Sequence, residues 1–280
     1  MVVDAHHHLW DPGTRRHAWL DELPPLRRPF RIGDFSQLAA AHSVTASVLV
    51  QVLASAAETG EFLALAARTP LLAGVVGWAD LTAPGVAAEL TRLRGLPGGD
   101  RLAGLRHLVQ DEPDPDWLSR PDVRRGLRAV GDAGLVYDLL IRPGQLPAAI
   151  AVVRDLDSVR FVLDHGAKPD IAHGQAEPWS TLIGELAAAP NVSCKLSGLV
   201  TEAGPGWTAA QITPYADRLL DCFGPGRLMF GSDWPVCTLA AGYGDVLGLA
   251  ETVLARLSPA ERDAVLAGTA ASWYGLRLPG

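Results

Sequence analysis

His6 and His8 stand two residues apart in Asp4-Ala-His6-His7-His8-Leu-Trp10-Asp11, directly after the apolar pair Val2-Val3. In a strand, residues two apart face the same way. Both imidazoles then point to one side and His7 to the other. Such an H-x-H pair is a usual way for one strand to offer two nitrogens to a metal ion. Asp233 ends another apolar run, in Phe230-Gly-Ser-Asp233-Trp-Pro235. A carboxylate beside two histidines either ligates the metal or acts as general base on water. His165 is a third candidate, as the acid that protonates a leaving oxygen or as an electrophile at a carbonyl. Its neighbour Asp164 is expected to point the other way and to be structural. Arg106 suits a carboxylate or carbonyl oxygen of a substrate, or a salt bridge in the protein wall. His107 alternates away from it and suits packing against a helix. Lys195 lies in a buried run, where an unpaired ammonium is costly. It therefore meets an acidic neighbour such as Asp233 or faces a polar pocket, with Ser193 and Ser197 on its face. Trp10, Trp78 and Trp234 follow or end strands; they suit an aromatic wall for a sugar-like ligand, or core packing.

The catalytic candidates are thus Asp233, His165, His6 and His8. The substrate-binding candidates are Arg106, Lys195, Trp10 and Trp234. The metal candidates are His6, His8 and Asp233, with His165 beside them. No G-x-S-x-G elbow occurs, and Cys194 faces away from Lys195. The order of these groups along the chain points to water activation and hydrolysis rather than a covalent intermediate.

Something must bring residues 6, 106, 165, 195 and 233 together. Eight short apolar runs recur: 2–6, 46–53, 73–79, 103–109, 136–141, 160–164, 192–196 and 228–231. Their continuous apolar character suits parallel strands buried on both faces. Helix signals lie between them. Ser55-Ala-Ala-Glu58 reads as a capping box opening a helix to about residue 67. Ser119-Arg-Pro-Asp122 opens another, and Ser258-Pro-Ala-Glu261 the last, with proline at its first position. Further helices are expected near 34–42, 84–95, 145–155, 179–189, 209–223 and 244–257. Eight strands alternating with helices predict a single-domain α/β fold over 1–280, a (β/α)8 barrel, whose usual size is ~250 residues. An open doubly wound sheet would carry a glycine-rich turn after its first strand; here that strand ends in histidines. In a barrel of this kind active sites form at the C-terminal ends of the strands, where the reactive residues fall. Residues 11–33 form a long loop after the first strand, expected over the barrel mouth.

The chain has 280 residues, 48% hydrophobic and 20% charged, with a net charge of −7. This composition supports a large core and excludes global disorder. There is no basic run, so no nucleic-acid partner is indicated. No apolar run approaches the ~18 residues of a membrane span, and no signal peptide is read. The three cysteines form no C-x-x-C, which favours a reducing compartment, the cytoplasm. Homo-oligomerisation is left open. Only Lys168 and Lys195 are lysines among 24 basic residues. Codon bias accounts for the rarity, but not for their positions at or near the proposed mouth.

The opening Asp4-Ala-His6-His-His8-Leu-Trp10-Asp11 resembles that of amidohydrolase-superfamily barrels. More narrowly, the chain is similar to the sugar-acid lactonase branch, which includes L-fuconolactonases and L-rhamnonolactonases. Matching stretches are Val50-Gln51, Gly104-Leu-Arg-His107 with Gln110-Asp-Glu-Pro113, Leu163-Asp-His-Gly-Ala-Lys-Pro169, Val192-Ser-Cys-Lys-Leu-Ser-Gly198 and Arg227-Leu-Met-Phe-Gly-Ser-Asp-Trp-Pro235. The resemblance implies a (β/α)8 hydrolase that opens a lactone. Asp233 would activate water, and His165 would sit near the carbonyl or the leaving oxygen. His6 and His8 would line the metal position, and Arg106 and Lys195 would hold the sugar lactone. The fifth strand, Tyr137-Asp-Leu-Leu-Ile-Arg142, lacks the histidine found in many superfamily members, which disfavours a two-metal site. The cofactor is then none, or one divalent ion, zinc first. Two rivals stay open: a zinc-dependent amidohydrolase or decarboxylase on the same barrel, and a sugar-binding barrel without catalysis.

Overall fold

The computed structural model describes residues 1–278. Eight parallel strands follow one another around the sheet in chain order. They are β1 (Val2–His7), β2 (Val44–Val50), β3 (Leu72–Gly77), β4 (Leu102–His107), β5 (Val136–Leu139), β6 (Arg160–Leu163), β7 (Val192–Leu196) and β8 (Leu228–Phe230). Helices α1 (Ile32–Ala41), α2 (Ala56–Ala66), α3 (Val86–Arg94), α4 (Pro121–Asp132), α5 (Leu146–Asp155), α6 (Trp179–Ala187), α7 (Leu199–Ala203), α8 (Ala209–Phe223), α9 (Tyr243–Leu254), α10 (Pro259–Asp263) and α11 (Thr269–Tyr274) complete it. The expected (β/α)8 barrel is the observed fold. A parallel bridge between His7 and Trp234 joins its first and last strands.

The strand positions match expectation to within a few residues at each end, because apolar runs buried on both faces mark them in the sequence. The expected helices start where their caps place them, but two caps differ in detail. Ser55 caps α2 by accepting from the Glu58 N–H, 3.3 Å. The Glu58 carboxylate does not reciprocate; it turns inward to the N–H groups of Val52 (2.8 Å) and Leu53 (2.9 Å). These donors lie just past the end of β2 and have no strand partner, so the buried loop outcompetes the cap. Helix α4 starts at Pro121 with Arg120, not Ser119, as its cap, because Pro121 suits the first helical position. Ser258 and Glu261 do form the reciprocal box.

Two apolar layers sandwich the sheet. The larger lies between strands and helices, the smaller inside the barrel, with Val3, Ala5, Ala46, Val48 and Met229 among its members. The inner layer continues into Ala267, Ala270 and Tyr274, with Trp273, Leu276 and Leu278 against it. The expected last helix, opening at Ser258 and running through α10 and α11, therefore plugs the N-terminal end of the barrel, a position with no expectation attached to it. Chemistry is left to the opposite end. The 11–33 loop is pinned at its base by Trp10 and Phe30, which exchange both backbone hydrogen bonds, 3.1 and 2.8 Å. No helix among the described residues is long and apolar enough to cross a membrane.

Candidate active site

The reactive groups gather where the barrel closes. The Asp233 N–H donates to the His6 carbonyl (2.8 Å), and the His8 N–H to the Trp234 carbonyl (2.7 Å). The closure register thus sets the His6–Asp233 distance. Gly231 permits it: a Cβ there would stand 2.7 Å from the His6 Cβ. Asp4 locks the joint. Its Oδ1 accepts from the N–H groups of His6 (3.1 Å) and Ser232 (2.9 Å), and its Oδ2 from the Tyr243 hydroxyl (3.0 Å). Burial pushes the Asp4 carboxyl up to about 6 despite those bonds.

Asp233 Oδ1 is the hub. It lies 3.5 Å from His8 Nε2, 3.7 Å from His6 Nε2 and 3.8 Å from His165 Nε2. The expected catalytic four are therefore one buried cluster. Each imidazole is held from behind through Nδ1. That of His8 meets the Val50 carbonyl at 2.9 Å, that of His165 meets Ser197 Oγ at 2.8 Å, and that of His6 lies between Lys195 Nζ (3.1 Å) and Asp164 Oδ1 (3.3 Å). Gly198 admits the His165 ring, since a Cβ there would stand 2.6 Å from Nδ1. Burial disfavours the imidazolium form in all three, lowering His165 to about 4 and His6 well below the usual value. Burial alone would raise Asp233; His165 and His8 outweigh it and hold the carboxyl below its usual value. The result is an ionised carboxylate facing three neutral imidazoles.

This donor set fits a metal ion. A carbonyl partner assigns the His8 proton to Nδ1, so its Nε2 offers a lone pair. His6 Nε2 is 3.1 Å from it, a contact that needs a proton or a cation between the two nitrogens. Ligand atoms bound tetrahedrally at ~2.0–2.1 Å from zinc lie ~3.3 Å apart, and the cluster's separations bracket that value. The outer bonds to each Nδ1 are the orienting partners of metal-binding imidazoles. His6, His165 and Asp233 place ligand atoms within 4.8 Å of one another, so His165 belongs to the set along with the expected His6, His8 and Asp233.

Beneath the cluster runs a chain of buried charge. Lys195 Nζ stands 2.5 Å from Asp138 and 2.9 Å from Asp164. Of its two expected surroundings, an acidic neighbour or a polar pocket, the first describes it, with Asp138 and Asp164 in place of Asp233 because β5 and the end of β6 present carboxylates at its own depth. Asp164 does not point away from the site. The strand ends at Leu163 and His165 takes a left-handed backbone, φ 53. Alternation lapses there, and both side chains turn inward. Burial would raise Asp164, but Lys195, His6 and Arg106 hold it well below the usual range. Arg106 lies with this chain: Nη1 donates to Asp164 (3.0 Å) and Nη2 to the Gln51 carbonyl (2.6 Å). Of its two readings, the wall ion pair describes its contacts. Tyr274 of α11 donates to Asp138, 2.9 Å, from the far end of the barrel. Sequence reasoning missed Asp138 and Tyr274, since only the topology makes them neighbours.

The tryptophans sit to one side. Trp10 donates to the Leu26 carbonyl, 3.1 Å, and packs edge-on to Trp19 and Phe30. It lines a cavity of about 310 Å³ shared by the loop and α2, with Asp11, Arg15 and Glu58. Trp234 packs on Phe30 and Phe35. Both anchor the loop to the wall. His7 faces outward as expected, stacked on Phe35. His107 also faces away, stacked on Trp117 of the short 3-10 helix Trp117–Ser119, and bonded to Glu112 and Trp78.

A family model described as Amidohydrolase matches residues 3–276. The L-fucono-1,5-lactonase of Burkholderia ambifaria is 39% identical over 99% of this chain and 96% of that protein. That of Burkholderia multivorans is 40% identical over 100% of this chain and 97% of that protein. Among solved structures, an amidohydrolase from Burkholderia multivorans with bound zinc superposes with a TM-score of 0.94 at 39% identity, covering 99% of this chain and 100% of that one. With one barrel, one histidine–aspartate cluster at its mouth and this match along its length, the chain belongs to the amidohydrolase family.

Proposed function

We propose that the protein hydrolyses a sugar-acid lactone to the free acid, with L-fucono-1,5-lactone the first substrate to try and L-rhamnonolactone the second. The observation that carries this reading is Asp233: an ionised buried carboxylate within 3.8 Å of three imidazoles, in a chain 39–40% identical over its length to L-fucono-1,5-lactonases. Asp233 takes a proton from water as the oxygen adds to the lactone carbonyl. His165 acts as the electrophile. With Ser197 donating to Nδ1, its Nε2 carries the proton and hydrogen-bonds the carbonyl oxygen as negative charge builds there. Its depressed pKa leaves the imidazole unprotonated at neutral pH, which supports this neutral role over that of a general acid. The ring C–O bond then breaks, and the proton held by Asp233 passes to the departing ring oxygen. Water's hydroxyl ends on the acyl carbon, so atoms and protons balance. His6 and His8 orient Asp233. Arg106 and Lys195 support this reading from beneath, by fixing Asp164 and His6, more than as direct contacts to substrate. The 11–33 loop, anchored through Trp10 and Trp234, covers the mouth.

The same residues would hold one zinc ion: His6 and His8 through Nε2, with Asp233, and with His165 in the other tautomer, whose Nδ1–H donates to Ser197 and leaves Nε2 a lone pair. Bound there, it would supply Lewis acidity toward oxygen. The three free cysteines are in keeping with a cytoplasmic location.

A lactone panel followed with a pH indicator, with and without chelator, tests the reading. Wild type is expected to open the sugar lactones, and Asp233→Asn to lose about a thousandfold or more of kcat while staying folded, the scale of removing a base from a unit that acts together. No turnover of any lactone by wild type, or near-full activity in Asp233→Asn, would overturn it.

A further inference from the structure

The left-handed run after β6 presents two polar side chains, and the mechanism uses only His165. Residues His165, Gly166, Ala167 and Lys168 have φ of 53, 56, 62 and 52. Such backbone is costly for residues with a Cβ and persists mainly where function requires it. Of the five non-glycine residues with positive φ among those described, His165, Ala167, Lys168 and Asp233 lie at the mouth, and only Ser43 lies elsewhere. Lys168 therefore shares its strain with the two reacting groups.

Its N–H closes the turn on the His165 carbonyl, 2.9 Å, and its ammonium stands 4.0 Å from Glu202 on α7. The Glu202 carbonyl in turn accepts from the Ala172 N–H, 3.1 Å, which ties α7 to the segment following Lys168. The two side chains are 20% and 24% exposed. Asp233 feels the charge of Lys168, and Glu202 feels that of Asp233, so the pair lies within electrostatic reach of the reacting carboxylate. A separation of 4.0 Å is too long for a hydrogen bond. No hydrogen bond among the described residues reaches either charged end. A loosely spaced pair of this exposure contributes little to stability, so it does not account for the strained turn that carries Lys168.

One hydroxyl group fits between them chemically: it donates to a carboxylate and accepts from an ammonium at once. We propose that Lys168 and Glu202 form the hydroxyl-recognising side of the pocket, gripping a ring hydroxyl of the sugar lactone and so setting its preference for polyol substrates. This rests on the lactonase reading.

Kinetics of Glu202→Gln and Lys168→Met on two substrates test it, with L-fucono-1,5-lactone set against δ-valerolactone, which has no ring hydroxyl. Product inhibition by L-fuconate is measured alongside. Each variant is expected to raise KM for the sugar lactone about tenfold or more, the scale of one charge-assisted hydrogen bond. The inhibition constant should rise with it, kcat should change less than about threefold, and any δ-valerolactone turnover should stay within about twofold. Circular dichroism melts establish that both variants fold. Equal losses on the two lactones, or an unchanged KM and inhibition constant for the sugar compounds, would overturn the clamp while leaving the lactonase reading intact. Wild type inactive on both lactones would overturn the reading, and the clamp with it.

Discussion

Lys195 carries its charge with 0% exposure, between two carboxylates. Two cations and two anions, Lys195, Arg106, Asp138 and Asp164, balance one another beneath the histidines, so no member can be removed alone. Lys195→Met would leave Asp138 and Asp164 facing each other in the core. Breaking a buried pair this way costs ~3–5 kcal/mol, a large part of the ~5–15 kcal/mol that holds a typical domain. A drop of that size in urea-melt stability is expected; a change in KM at unaltered stability would instead make Lys195 a substrate contact. The residue types needed for this chemistry were legible in the sequence, because histidine, aspartate and lysine rarely end apolar runs without a reason. Their partners were not. Which carboxylate meets Lys195 depends on side-chain depth across a closed barrel, and a strand's alternation carries no information about depth on another strand. The inward turn of Asp164 was hidden for a related reason: alternation holds only while the backbone stays extended, and Leu163 is its last such residue.

At the scale of elements, the strands were legible and the caps only half so. A capping box is a local pattern, and in α2 the buried loop after β2 competes for the same glutamate. The last helix announced its start at Ser258 but not its role as a plug, since the part that enters the barrel, α11, is six residues long and follows a π-helical turn at Ala264–Gly268. Yet α11 reaches the charged chain through one hydroxyl. The Tyr274 hydroxyl donates to Asp138, whose burial pushes its carboxyl above the usual range even with Lys195 beside it. Tyr274→Phe keeps the ring that plugs the barrel and removes that donor. An under-satisfied buried carboxylate costs about 1–3 kcal/mol. The melting temperature of Tyr274→Phe should fall by several degrees, with secondary structure unchanged. A melt identical to wild type would mean that α11 seals the barrel by apolar contact alone.

For the molecule as a whole, burying so many titratable groups at one end of the barrel ties stability to pH. His6, His7, His8 and His165 all have their pKa depressed by burial, His165 to about 4. Once unfolded, each binds a proton near 6.5. Below that pH the unfolded chain holds protons the folded chain refuses, so these four groups remove stability as the pH falls from 6.5 toward 4. Asp4 and Asp138 act in the opposite sense. Burial raises both, Asp4 to about 6, so the folded chain holds their protons more tightly and gains stability on acidification between about 6 and 3.8. Glu58 and Glu202, also raised by burial, act in the sense of the aspartates, and His17 in that of the histidines; because unfolded histidines bind their protons at higher pH than unfolded carboxyls, the histidines set the sign as the pH falls through 6.5. The slope fades only about a pH unit above 6.5, where the unfolded histidines are neutral as well. Urea midpoints of the metal-free protein, held in chelator at pH 7.5 and 6.0, should therefore be higher at 7.5 and lower at 6.0. A midpoint that holds steady or rises over that interval would mean that the cluster at the mouth accepts protons in the folded state, against the neutral imidazoles that the proposed chemistry requires.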